Sequence, residues 1–301
     1  MSKEDRPPPA PLGLLSLPNC QEDNVVPTQK DSDRYETDPI DGLRRAIVGS
    51  WAPEKHLRLQ RYVDISRAAR RKFQADTTYI DLYCGPGRAR IKNTHTVVDG
   101  SSLVVAMEAA KRVPFGEIII GDLDPVNVQA CQARLATIRG TRVRACIGSA
   151  EDVAAQIVPT LPRNGLHLAF LDPFNLETLP FSVIQTLAQI QRMDLLIHVS
   201  IMDLQRNVRS MMESGKLDRF APGWKDHINS ALPNPTLVMK VFEYWRSLLV
   251  DLGYIVSTNI ERVTGTRNQP LYWLVLVSRH KLADKFWTEV SQVEPQARML
   301  F

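Results

Sequence analysis

The chain has 301 residues, 44% of them hydrophobic and 23% charged, with a formal net charge of +4. That length suits one large α/β domain with additions. No apolar run approaches a membrane span and the N-terminus lacks the apolar core of a signal peptide, so a cytoplasmic protein without membrane association is expected. Cys20, Cys84, Cys131 and Cys146 have no CxxC spacing and no adjacent histidine cluster, which argues against a disulfide framework and against a metal site.

The modest net charge conceals an asymmetry. Residues 1–42 hold four Lys/Arg against nine Asp/Glu, a net of −5, which leaves 33 against 24, a net of +9, in the rest. Residues 1–40 also carry seven of the twenty prolines. Segment 1–42 therefore reads as an acidic leader, disordered or draped over the surface, ahead of one domain over 43–301. A basic body suits a nucleic-acid partner, DNA or RNA; ordinary solvated surface would read the same way.

From Trp51 the pattern turns helical, with proline and an acid at the start and Leu57, Leu59, Tyr62, Ile65 and Ala69 on one face. An apolar strand over 77–84 follows and ends in Asp81-x-x-x-Gly85-x-Gly87. Two glycines at that spacing let the backbone turn sharply and approach a ligand closely. Residues 88–100 read as a basic loop containing Arg88, Arg90 and Lys92, and Ser101 opens a capped helix. A second apolar run, Glu117–Asp122, leads through Asp124 into a helix from Pro125 to about Arg139. Arg142–Ser149 is a third strand, followed by a short helix over 151–160, and Leu166–Leu171 a fourth, ending in Asp172-Pro173-Phe174. A helix over 177–191 and a fifth strand over 194–200 complete the regular alternation.

Residues 202–235 break the rhythm with scattered basic side chains, among them Arg206, and read as a cap beside the sheet's binding edge. A helix over 236–252 precedes two strands, 254–263 and 271–278, whose short polar connection suits an antiparallel hairpin. Parallel strands ending in acids and small residues at one edge describe an open α/β sheet, and that edge is where such sheets bind ligands.

This succession resembles the class I S-adenosylmethionine-dependent methyltransferases, with their Rossmann-like, seven-stranded, mainly parallel sheet and C-terminal antiparallel hairpin. The resemblance implies S-adenosylmethionine as cofactor, held by Asp81, Gly85, Gly87, Asp122 and Ser149. Asp122 matches the ribose-binding acid because Pro125 follows at the family's offset; Asp124 is its near rival, and a helix-capping role would equally account for an acid here. Ser149 stands where the family often has an aspartate beside the adenine, with Asp152 one turn later as a possible substitute. Asp172-Pro173-Phe174 resembles the motif of methyltransferases acting on exocyclic base amines, although its second proline is absent. The implied catalytic set is Asp172, Pro173 and Phe174. A strand-end aspartate followed by a core phenylalanine is the plainer reading.

Six segments in order, Trp51-Ala-Pro-Glu-Lys-His, Tyr79–Arg88, Asp99-Gly-Ser-Ser-Leu, Phe170–Phe174, Asp203-Leu-Gln-Arg-Asn and Tyr272–His280, are similar to the three-Cys-motif partner proteins of bacteria and phages. The similarity covers about residues 45–290. It implies a protein partner, a separate three-cysteine, radical-enzyme-like protein. Arg88, Arg90, Lys92 and Arg206 are the expected contacts to nucleic acid or to that partner. Two functions follow as expectations: methyl transfer to a base amine, or a catalytically inactive, methyltransferase-like nucleic-acid-binding or assembly subunit. His95, His167 and His198 form no ligand set, and His198, within the fifth strand, reads as a core residue.

Overall fold

The computed structural model describes residues 34–257, 261–264 and 270–291. Residues 1–33 of the leader and the hairpin connection 265–269 lie outside the described residues.

The main sheet is built from β3 (Thr77–Asp81), β6 (Glu117–Asp122), β7 (Val143–Ile147), β8 (Leu166–Leu171), β9 (Met193–Ser200), β10 (Ile255–Val256), β11 (Glu261–Thr264) and β12 (Pro270–Ser278). Its order is β10-β12-β9-β8-β3-β6-β7, with β11 also on β12. The five strands from β7 to β9 are parallel. β12 runs antiparallel to β9, with Tyr272 opposite Ser200, and β10 and β11 both run antiparallel to β12. The outermost position, expected as one strand over 254–263, is thus shared by two short ones. Seven strand positions with the last strand inserted between the fifth and sixth make the Rossmann-like sheet of class I methyltransferases.

Alternate side chains of each strand enter opposite layers, as a period of two requires. Ile80, Ile119, Ala169, Leu171, Leu195, Ile197 and Val275 face one core. Tyr79, Ile118, Ile120, Leu168, Phe170, Leu196 and Leu274 face the other. Against the second core pack α1 (Ala52–Ile65), α3 (Ser101–Ala110), α4 (Pro125–Ala136) and α10 (Lys281–Ser291). Helix α2 (Arg67–Phe73) follows α1 after a break at Ser66. Leu57, expected on the apolar face of α1, is exposed, whereas Val63 is buried; the core stripe runs through Ala52, Leu59, Tyr62 and Val63.

The first core is covered by α5 (Ala150–Ile157), α6 (Phe181–Leu187), α7 (Ile201–Glu213), α8 (Leu217–Phe220) and α9 (Asn234–Asp251). Segment 202–235 is therefore largely helical, and Leu204, Val208, Met211, Leu217, Phe220 and Trp224 join the main core. Its basic surface residues had obscured this apolar stripe.

A second sheet was not expected. β1 (Tyr35–Thr37), β2 (Arg44–Val48), β4 (Arg88–Ile91) and β5 (Val97–Asp99) form it in the order β1-β2-β4-β5. Segments expected as an irregular leader, 35–42, and as a basic loop, 88–100, supply three of its four strands. Ion pairs between them compensate the charges. Glu36 accepts from Arg45 at 2.6 Å and from Arg90 at 2.7 Å, and the fully buried carboxylate of Asp38 meets Arg45 at 3.3 Å, Arg88 at 3.1 Å and Arg134 at 3.6 Å.

Candidate functional site

The carboxyl ends of β3, β6, β7, β8 and β9 share one edge, and every expected cofactor-binding and catalytic residue sits on it or just beneath it. After β3 the chain turns at Gly85 (φ +53°) and Gly87 (φ +79°), both in the left-handed region that glycine tolerates best. The two glycines do different things. A Cβ on Gly87 would lie 2.6 Å from Leu103 Cδ1 and 3.1 Å from Cys131 Sγ, so this glycine lets the turn pack on α3 and α4. A Cβ on Gly85 would meet nothing within 4 Å, so this glycine faces the open side.

Asp81 lies beneath the turn. Its Oδ2 accepts from Ser101 Oγ at 2.6 Å and Ser102 Oγ at 2.7 Å, and its Oδ1 accepts from the Tyr83 amide at 3.3 Å. Burial pushes its carboxyl up to about 6, against the opposing hydroxyl bonds. With no solvent-exposed surface, Asp81 supports the turn and the start of α3 from below.

Asp122 and Asp124 separate clearly. Asp124 is the N-cap of α4, accepting from the Val126 amide at 2.9 Å, and it pairs with Arg44. The capping role thus belongs to Asp124 and leaves Asp122 for the edge. Half-buried, Asp122 accepts from the Gly85 amide at 3.0 Å, the Asp124 amide at 2.9 Å and Asn127 Nδ2 at 3.4 Å. Burial raises its pKa, partly offset by these donors. Leu123 is 74% exposed, and so is Ile147, at 59%, which pairs with Asp122 across β6 and β7. Ser149 caps α5: its hydroxyl accepts from the Asp152 amide at 3.1 Å and donates to Asp152 Oδ2 at 2.6 Å. Ser149 and Asp152 thus form one capping unit.

These features fit S-adenosylmethionine on three observations: an open side at Gly85, a half-buried carboxylate bridging the turn and α4, and two exposed apolar side chains flanking it. Gly85 and Asp122 would hold the methionine and ribose parts, with Leu123 and Ile147 against the adenine.

The β8–β9 half of the edge holds a charged cluster. Asp172 Oδ2 pairs with Lys55 Nζ of α1 at 2.5 Å, and its Oδ1 lies 3.4 Å from His198 Nδ1 of β9. Burial raises the Asp172 carboxyl, but Lys55 and His198 outweigh it and hold the pKa below the ordinary value. Burial lowers His198 and His56 to about 4, so both are neutral near pH 7. The Tyr272 ring packs on His198 with centroids 4.4 Å apart. Pro173 is buried, whereas Phe174 is 73% exposed, with the Arg34 guanidinium 4.3 Å above its ring. Phe174 is therefore no core residue. Asp203, in the first turn of α7, accepts from the Leu176 amide at 2.8 Å and so ties down the loop after Phe174.

The expected nucleic-acid contacts are scattered. Arg88 pairs with Asp38, Asp41 and Asp99, and Arg90 with Glu36, so both serve the second sheet. Lys92 and Arg206 are exposed. Lys55 went unnoticed in the sequence as a site residue, although a lysine in a helix's first turn opposes the helix dipole and was a usable signal. His198, expected as a core residue, is instead half-buried at the edge, with its Nδ1 3.4 Å from Asp172 Oδ1. Among the described residues no group of three or more His, Cys, Asp or Glu side chains could hold a metal ion, and no helix is long and apolar enough to cross a membrane.

No family model matches the sequence, and no curated protein matches it. Solved structures do. An O-methyltransferase from Bacillus cereus in complex with SAH is 10% identical, covering 75% of this chain and 81% of that one, with a TM-score of 0.44. An rRNA methylase from Streptococcus thermophilus is 10% identical over 75% of this chain and 95% of its own, with a TM-score of 0.37. The strand order itself carries the fold assignment.

Proposed function

We propose that the protein is an S-adenosylmethionine-dependent methyltransferase acting on an exocyclic amine of a nucleic-acid base. The observation that carries this reading is Phe174, a large ring left exposed at the sheet's binding edge directly after the ion-paired Asp172 and buried Pro173. Stacking an extruded base on such a ring contributes about 1–3 kcal/mol.

When bound at the Gly85 turn, S-adenosylmethionine supplies a methyl group made electrophilic by its sulfonium. Asp122 accepts the ribose hydroxyls, and bonds from such donors to a charged acceptor are strong and directional. Phe174 stacks the base, and Asp172 accepts a hydrogen bond from its amine N–H, drawing electron density onto the attacking nitrogen. The rest is positioning, holding nitrogen and methyl carbon in line. A three-cysteine, radical-enzyme-like partner rests on the six-segment resemblance, and of the four cations expected to meet it or nucleic acid, Lys92 and Arg206 are exposed.

The second reading, an inactive nucleic-acid-binding or assembly subunit, draws on Arg34, which covers the Phe174 ring, and on Ser149, whose hydroxyl is already engaged by Asp152. Calorimetry with S-adenosylmethionine separates the two. Binding, followed by transfer of labelled methyl groups to total RNA or DNA, supports the enzyme. A folded sample that binds no cofactor at millimolar concentration leaves only the subunit.

A further inference from the structure

The motif Trp51–His56 lies in sequence far from the proposed chemistry, yet the fold brings it to the centre of the acceptor site. Lys55 sits in the first turn of α1, only 14% exposed at its side chain, with its ammonium 2.5 Å from Asp172 Oδ2. An ammonium placed there must leave water and sits at the positive end of a helix dipole. Nothing about the helix's own stability favours it; the carboxylate of Asp172 does. The other oxygen, Oδ1, is 3.4 Å from His198 Nδ1, and that nitrogen makes no hydrogen bond. The two carboxylate oxygens are therefore unequal: one is neutralised by a cation and the other is not.

We propose that Lys55 is the positioning residue of the acceptor site, holding Oδ2 of Asp172 so that Oδ1 is the oxygen offered to the amine of the base. This rests on the base-amine reading above. The substrate class narrows accordingly to a neutral primary amine that donates one N–H to Oδ1. As the new nitrogen–carbon bond forms, the carbon–sulfur bond breaks with its electron pair left on sulfur, and the nitrogen then releases a proton to solvent. Asp172 stays ionised throughout, a hydrogen-bond acceptor and never the proton's final holder. Facing it are Lys55 and His56 from α1, His198 from β9, and Asp81 and Tyr79 from β3, and burial keeps both histidines neutral near pH 7.

The test replaces Lys55 by Met, and by Gln, which keeps a donor without the charge, with Lys55→Arg as the conservative control. Carbon-13 labelling of the aspartate carboxyls, with Asp172 assigned through Asp172→Asn, follows its titration without needing activity. Lys55→Met and Lys55→Gln should raise the Asp172 midpoint by at least about one pH unit, because the neighbouring cation is gone. They should lower kcat about 10- to 100-fold through misplacement of Oδ1 and move the acid limb of the pH profile upward, with cofactor affinity unchanged. Lys55→Arg should recover much of the loss. An unmoved Asp172 midpoint, or wild-type rates across the pH range in Lys55→Met, would overturn the assignment. A midpoint that moves as expected in a protein that methylates no amine upholds the Lys55–Asp172 coupling and counts against the base-amine reading alone.

Discussion

Two halves of one sheet edge treat the same residue type in opposite ways. On the β3–β6 half, Asp122 is held by backbone amides and an asparagine, and burial raises its pKa. On the β8–β9 half, Asp172 is held by a lysine beside a histidine, and its pKa falls although it is the more enclosed. At Asp122 the neutral donors offset burial only in part, whereas at Asp172 the lysine and histidine outweigh it. On the reading proposed above, the first half would grip ribose hydroxyls and the second would keep an anion beside the reacting amine.

The sharpest way to break this contrast is Asp172→Ala. Loss of the acceptor should reduce methyl transfer by about 10²- to 10⁴-fold while cofactor affinity, measured by calorimetry, stays within a few-fold. Full activity on an identified substrate would remove the amine-methyltransferase assignment.

Within the cofactor half, the two glycines should respond differently. Gly87→Ala combines left-handed backbone strain with overlap on Leu103 and Cys131, and should cost about 2–5 kcal/mol in a denaturant titration. Gly85→Ala carries only the backbone term, about 1–2 kcal/mol, but places a methyl on the open side and should weaken cofactor binding. Equal stability losses would show that the two sides of the turn have been assigned wrongly.

Asp122→Ala should weaken cofactor binding by roughly 10- to 150-fold, corresponding to about 1.5–3 kcal/mol for hydrogen bonds to a charged group. Normal affinity in this variant would shift attention to Asp124, whose cap and Arg44 pair would then have to yield to the ribose.

The last effect concerns pH. A carboxyl whose pKa rises on folding stabilises the native state once protonated, so Asp81 adds stability as pH falls from about 6 toward 3.8. A histidine whose pKa falls on folding does the reverse: the unfolded chain protonates first, and stability declines from pH 6.5 toward about 4. His56 and His198 together should outweigh Asp81, giving a net decline over that window. Urea midpoints between pH 7 and 4 should show it, and His198→Phe should flatten the slope; a midpoint that climbs on acidification would contradict the assignment of both histidines as neutral.

The main sheet was legible because its parallel strands are apolar runs ended by an acid, a glycine or a small polar residue, a purely local signal. The second sheet was not. Arg44-Arg45, Arg88 and Arg90 look like solvated charge until Glu36, Asp38 and Asp41 are brought opposite them, and the Glu36–Arg90 pair spans 54 positions. The same holds at the site. Gly85, Gly87 and Asp172 announce themselves by spacing, and their place at the edge follows from the sheet. Lys55 gains its partner only when the start of α1 meets Asp172 at the end of β8, and His198 only when β9 sets it beside the same carboxylate; the one local hint was a lysine in a helix's first turn.

Composition alone would put the domain boundary at residue 43, and a shortened protein would naturally be started there. The buried carboxylate of Asp38, with Glu36 and Asp41, shows what that cut removes: the counter-charges of Arg45, Arg88, Arg90 and Arg134. Arg134 is only 3% exposed and also donates to the carbonyl of Pro86 inside the glycine turn, so an uncompensated guanidinium would be left against the proposed cofactor loop. A chain trimmed to begin at residue 43 should melt lower than the full-length protein or fail to accumulate, and a melt identical to the full-length protein's would show that these ion pairs are dispensable.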